Sequence, residues 1–277
     1  MNRLLNANFT RLKKNKVFWG GMIFMAAYGV FIMFGNYMDS KRYGDPIPVD
    51  SVFFSYTIMI GIVSAVFCCL FLGTEYSEGT IRNKLMIGHT RGRIYAANLL
   101  VCIAAGIFMT LSFIAAAGAV GFPLLGFFKS ELRIVLAVLL GSLVMVTALS
   151  SIFTFLSMMI QNKAAAAVTV LLTIFILLFA AIYMNSRLSS PEMYEGYTYI
   201  DESGNMVEQE AQPNQAYVSG TTRKVYKALM DILPTGQSLQ YASMSGAHLW
   251  QMPVYSVIIT IAASGAGIIV FRRKDIK

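Results

Sequence analysis

AAAAVTVLLTIFILLFAAIYM, residues Ala164–Met184, carries no charge over its whole length and lies between Lys163 and Arg187. A helix needs roughly 20 apolar residues to cross the hydrocarbon core of a bilayer, and this stretch supplies them. Working outward, the same pattern recurs in Val17–Met38, Val52–Gly73, Ile94–Val120, Ile134–Ile160 and Pro253–Phe271. Strands of a membrane barrel would alternate apolar and polar over about ten residues; these runs are apolar all round. The expectation is an all-α membrane protein with six transmembrane helices.

Composition agrees. Apolar residues make up 56% of the 277 and charged residues 13%, against about 45–50% and about 25% in soluble domains. The few charges cluster between the runs. With the N-terminus placed inside, 14 of the 22 Lys and Arg residues fall in inside segments and 8 in outside ones, so the positive-inside rule puts both termini in the cytoplasm. The net charge of +8 then reports topology, with no call for a nucleic-acid partner. The first run is too long for a signal-peptide core and follows a basic segment, so no cleavable leader is expected. Cys68, Cys69 and Cys102 all fall within spans, which predicts free, buried thiols.

Residues 1–16 read as an amphipathic helix, with Leu5, Phe9 and Leu12 on one face and Arg11, Lys13, Lys14 and Lys16 on its flank. Short connections are expected at Asp39–Ser51, Gly121–Arg133 and Gln161–Lys163. The segment 185–252 is the one sizeable extramembrane piece, with a net charge of −3. Within it, Tyr197–Ile200 and Met206–Val207 read as a hairpin about Gly204. Thr221 or Thr222 is expected to cap a helix running to Leu233, followed by a short helix over Gln237–Met244.

The most informative loop is Gly73–Arg91. Ile81 and Leu85 stand at i, i+4 on a short helix, with Arg82, Asn83 and Lys84 facing elsewhere, and Gly88 can end it in the left-handed region. Two readings stay open on the residues alone: a lever that a partner pushes, or a loop whose cations only enforce topology.

Glu75-Tyr76-Ser77-Glu78-Gly79-Thr80-Ile81-Arg82-Asn83-Lys84-Leu85, followed by Gly88 and Arg91, resembles the loop after the second span of ABC-2-type permeases, the membrane subunits of ATP-binding-cassette exporters. The closing Phe271-Arg272-Arg273-Lys274-Asp275 is similar to the tail after their sixth span, and the layout of six spans with a large loop before the last also matches. The resemblance implies a type V exporter-like fold with a connecting helix over 1–16 and a cytoplasmic coupling loop over 75–91. It implies a coupling helix carrying Gly79, Thr80, Ile81, Arg82, Asn83, Lys84 and Leu85, with Glu75 at its junction with the membrane. It also implies a second permease copy or paralogue, and two ABC ATPase subunits that bind ATP and Mg. Residues around Pro234–Met244 resemble the re-entrant helices that cap the exit in that family.

No Gly-Lys pair occurs, so no phosphate-binding P-loop can be written in this chain. The span cores hold no Asp, Glu, His, Lys or Arg, whereas ion-coupled transporters place such groups there. That favours an apolar or amphipathic substrate, and peptide antibiotics or peptide toxins suit the resemblance. On the fourth span, Thr147, Ser151 and Thr154 form a polar stripe that either lines a pathway or packs helices. The alternatives are a non-transporting membrane sensor and an intramembrane lipid-modifying enzyme; the latter needs convergent acid, base or metal residues, which the sequence does not assemble.

Overall fold

The computed structural model describes residues 2–200, 206–246 and 248–274. Helix α1 (Asn2–Lys14) turns at Asn15 into α2 (Lys16–Tyr43), and the Asn15 side chain accepts from the Phe18 N–H at 3.0 Å, capping the new helix. Two short 3₁₀ turns lead to α3 (Tyr56–Ser77), followed by α4 (Thr80–Met86), α5 (Arg91–Leu125), α6 (Leu132–Met159) and α7 (Lys163–Ser189). Between α7 and α10 (Met252–Arg273) lie the strands β1 (Met193–Tyr194), β2 (Tyr197–Ile200), β3 (Met206–Gln209) and β4 (Gln212–Pro213), then α8 (Gly220–Ile232) and α9 (Pro234–Ala242).

Six segments, on α2, α3, α5, α6, α7 and α10, are long and apolar enough to cross a membrane. They overlap the six predicted runs and extend beyond them, except that α6 stops at Met159, one residue short of its run. The 35 residues of α5 extend about 52 Å at 1.5 Å per residue, well beyond a hydrocarbon core of about 30 Å. The expected tight turn after α6 is present, with Asn162 accepting from the Ala164 and Ala165 N–H groups at 2.9 and 3.1 Å.

Helix α3 is the spine. In its most apolar window 61% of residues are buried, against 22% for α2, 28% for α7 and 17% for α10. It packs against α5, α6, α7 and α9, while α2, α7 and α10 present wide apolar faces outward. At the α9 end, Phe53, Phe54, Phe122 and Phe128 form an aromatic cluster. Asp50 joins it by accepting from the Lys129 and Ser130 N–H groups, both at 2.9 Å, which ties the α2–α3 connection to the α5–α6 connection. The three cysteines are free and buried.

Several details differ from the sequence expectation. The stripe that α1 buries is Leu4, Asn8 and Leu12, packed onto α5, with Leu5 and Phe9 at its margin. The predicted hairpin forms as β2 pairing antiparallel with β3, Ile200 opposite Met206, and its turn at Gly204 lies outside the described residues. Ser219, not Thr221 or Thr222, precedes the first turn of α8. Pro234 opens α9 instead of merely ending α8, so the short helix is Pro234–Ala242, not Gln237–Met244. The ring sits at N1, where its missing N–H has no helical partner to lose.

Candidate functional site

The last turn of α3 delivers Glu75 into the place where five helices meet. Its carboxylate has no exposed surface. Arg11 of α1 and Lys84 of α4 both donate to Oε1, and Asn98 of α5 donates to Oε2 at 2.6 Å. Lys84 also donates to Asn8 Oδ1 at 2.9 Å, and Asn8 in turn donates to Asn98 Oδ1 at 2.7 Å. A second Arg11 nitrogen donates to the Phe71 carbonyl while its guanidinium lies 3.9 Å from the Phe71 ring centre. Met158 of α6 closes the far side, its sulfur 3.6 Å from Asn98 Nδ2. Burial pulls the Lys84 ammonium below the usual lysine range, opposed by the Glu75 carboxylate, while nearby Arg11 adds to the lowering.

This geometry follows from local sequence. Gly79 takes φ +67°, a left-handed conformation that glycine reaches without a Cβ penalty, and so folds α4 back across the end of α3. On α4 the i, i+3, i+4 positions Ile81, Lys84 and Leu85 then face inward. Arg82, Asn83, Met86 and Ile87 face outward, and Met86 and Ile87 are each 77% exposed. Thr80 opens the helix, half-buried. Two sequence expectations are therefore corrected. Ile81 and Leu85 pack within the chain and are not free to meet a partner, and Lys84 points in, because only there does a buried carboxylate await it.

A second set of contacts fastens the same end. Tyr76 donates to the Met158 carbonyl at 2.5 Å. Lys274, just beyond α10, donates to the Met158 and Met159 carbonyls at 3.1 and 3.0 Å, satisfying acceptors that the end of α6 leaves open. Burial lowers the Lys274 pKa. Arg91, at the start of α5, donates to the Lys274 carbonyl. The ends of α1, α3, α4, α5, α6 and α10 are thus held as one polar block.

At the opposite end, α9 inserts among α3, α6 and α7. Thr57 of α3 donates to the Ser238 carbonyl at 2.7 Å, and Thr235 donates to the Leu177 carbonyl of α7 at 3.0 Å. Gln237 donates to the Met252 carbonyl at 2.9 Å and accepts from Ser256 of α10 at 2.6 Å. Tyr241 packs onto Gly141 of α6, where a Cβ would stand 2.5 Å from its hydroxyl oxygen.

Thr147, Ser151 and Thr154 do not join either constellation. Ser151 and Thr154 are fully buried and Thr147 partly so, within the packing of α6. Ser151 donates to the Thr147 carbonyl at 2.8 Å, and Thr147 meets Thr260 of α10 at 3.3 Å. Neighbouring Ser150 and Ser64 crowd against Gly106 of α5. Among the described residues no cluster of three or more His, Cys, Asp or Glu side chains converges as a metal site would require.

The sequence reading named Glu75 and Lys84 but missed the side chains that complete the node. Asn8 interrupts the Leu4/Leu12 stripe of α1, and Asn98 is the one amide in the apolar run Ile94–Val120. An amide in an apolar face is the available signal, because a buried polar group needs a partner. A family model described as ABC-2 family transporter protein matches residues 4–186, from α1 to near the end of α7. No curated protein matches the chain.

Proposed function

The chain belongs to the ABC-2 transporter family, and from that premise we propose that it is the membrane half of an ATP-driven exporter of hydrophobic or amphipathic peptides. Membership makes it a multi-pass permease subunit of an ABC transporter, a transport component and not itself catalytic, that associates with ABC ATPase partners. The finer reading is that α4 is the coupling helix and that both termini are cytoplasmic. Two ATPase subunits, loaded with ATP and Mg, would grip it, and a second permease copy or paralogue would complete the pathway.

The observation that carries this reading is the Glu75 node. A short exposed helix is of mechanical use only if displacing it displaces the spans. Lys84 ties α4 to Glu75, and Glu75 ties α1, α3 and α5 together. Outward-facing Arg82, Asn83, Met86 and Ile87 supply the face for a partner, while Ile81 and Leu85 anchor the helix from beneath. The carboxylate accepts from three donors on three other helices, an arrangement that suits force transmission and leaves Glu75 ill placed to act as the base of the lipid-modifying alternative. Outward direction and peptide cargo rest on the family resemblance and on span cores that carry no Asp, Glu, His, Lys or Arg.

Co-purification with the ATPase subunit tests the reading. Met86→Asp together with Ile87→Asp should abolish association and stimulated ATP turnover while insertion and thermal stability hold. Unchanged association in that variant would refute the assignment of α4.

A further inference from the structure

Beside the elbow between α1 and α2 lies an apolar groove of about 380 Å³, open to the membrane between α2 and α3. Val17, Gly20 and Gly21 form one wall, Ile62 and Val66 of α3 the other, and Met109 of α5 the floor. Its size falls in the range of small-molecule sites, about 300–1,000 Å³. The two glycines create it. A Cβ on Gly20 would meet nothing within 4 Å, whereas one on Gly21 would stand 2.7 Å from the Met109 methyl carbon. Gly20 therefore borders open space, and Gly21 lets Met109 close the floor.

Three lysines flank the Val17 end of the groove along the chain. Lys16 directly precedes Val17, and Lys13 and Lys14 end α1 just before the turn. The indole N–H of Trp19 donates to the Lys13 carbonyl at 2.8 Å, which holds that end of α1 against the first turn of α2. All three lysines are exposed, and among the described residues none of them forms an ion pair. Arg11, by contrast, is turned inward to Glu75. An apolar groove whose Val17 end adjoins three lysines without a carboxylate partner among the described residues matches one amphiphile of the bilayer: an acyl chain with a negatively charged head.

We propose that this groove is a binding site for a single anionic phospholipid, its acyl chain against Gly20 and its phosphate among Lys13, Lys14 and Lys16. Basic pockets between membrane helices recognise anionic headgroups by the same attraction. Seated there, the lipid fills the gap between α2 and α3 beside the Glu75 node and holds the α1–α2 elbow against α3. The site stands independently of the cargo and of the ATPase assignment.

Native mass spectrometry of the full chain, titrated with phosphatidylglycerol or phosphatidylcholine, tests this. The wild type should retain one phosphatidylglycerol with a preference of about tenfold over phosphatidylcholine. Gly20→Leu fills the groove from one wall and Val66→Phe from the other, so at least one monodisperse variant should be obtained, and it should lose the adduct. Gly20→Ala should keep it. Replacing Lys13, Lys14 and Lys16 with Gln should erase the preference while leaving weak binding of both lipids. Equal retention of the two lipids by the wild type, or an adduct that persists in the filled groove, would overturn the proposal. So would disulfide-linked dimers formed through Gly20→Cys in membranes, since a second copy of the chain would then occupy the groove.

Discussion

Replacing Glu75 with alanine removes the one anion from a buried site that holds two cations. The magnitude can be worked from exposure. The Lys84 side chain is 11% exposed and that of Arg11 24%, so arginine recovers some hydration and lysine little. Stripping one partner from a buried ion pair costs about 3–5 kcal/mol, or roughly two to three and a half orders of magnitude in the folding equilibrium. Glu75→Gln keeps a carbonyl acceptor for Arg11 and Lys84 but loses the charge and the second acceptor that Asn98 uses, so its cost should be at least the 1.5–3 kcal/mol, roughly, of a charge-assisted hydrogen bond. Lys84→Met leaves Glu75 with Arg11 and Asn98 and should cost less than Glu75→Ala. Combining Glu75→Gln with Lys84→Met removes a cation and an anion together, so the double variant should be more stable than the sum of the singles by at least about 1 kcal/mol. Equilibrium unfolding in mixed micelles with rising dodecyl sulfate, followed by circular dichroism, measures all four. A cost below about 1 kcal/mol for Glu75→Ala, or additivity within about 0.5 kcal/mol, would refute the claim that one buried carboxylate binds the helix ends together.

Ile81→Asp should destabilise the chain itself by several kcal/mol, because it buries a charge with no partner, whereas Met86→Asp should change stability by no more than about 0.5 kcal/mol; the same unfolding titration separates them. Tyr241→Phe should be neutral or slightly stabilising, since the buried hydroxyl has no hydrogen-bond partner among the described residues. Gly141→Ala should cost about 1–3 kcal/mol by overpacking, and Tyr241→Phe should recover only part of that loss, since it removes the oxygen 2.5 Å from the new Cβ but leaves the ring carbon Cζ at 2.8 Å; thermal unfolding of the two singles and the double decides it. Asn98→Leu should cost about 1–3 kcal/mol by depriving Glu75 Oε2 and Asn8 of their partner, and Asn8→Leu in the same background should add little.

Hydropathy alone revealed the six spans, because a bilayer demands length and apolarity of each span regardless of its neighbours. The direction of short helices was less legible. Whether Lys84 points in or out depends on Glu75, nine residues away along the chain, and on Asn8, 76 residues away. Solvated charge is the ordinary state of a lysine on a loop, and periodicity carries no information about a carboxylate across the fold. Asn8 and Asn98 are 90 positions apart, so each alone looks like a blemish in an apolar face. The insertion of α9 was half legible: Pro234 marks a boundary, but the carbonyl partners that let Thr57, Thr235 and Gln237 be buried lie on other helices.

Thr57 and Glu75 explain how the two ends of the molecule are joined. They stand 18 residues apart on α3, which at 3.6 residues per turn is five full turns, so both side chains leave the same face of the helix, about 27 Å apart. One grips the node of α1, α4 and α5; the other grips the backbone of α9. Helix α3 contains no proline, and its glycines Gly61 and Gly73 are packed against Ile174 and Lys163, so there is no free hinge along its length. Interiors packed this closely transmit strain instead of absorbing it. A displacement of α4 taken up by Glu75 therefore has to reach Ser238 through Thr57, and the short helix that fills the far end of the bundle must move with the rod or lose its bonds to it.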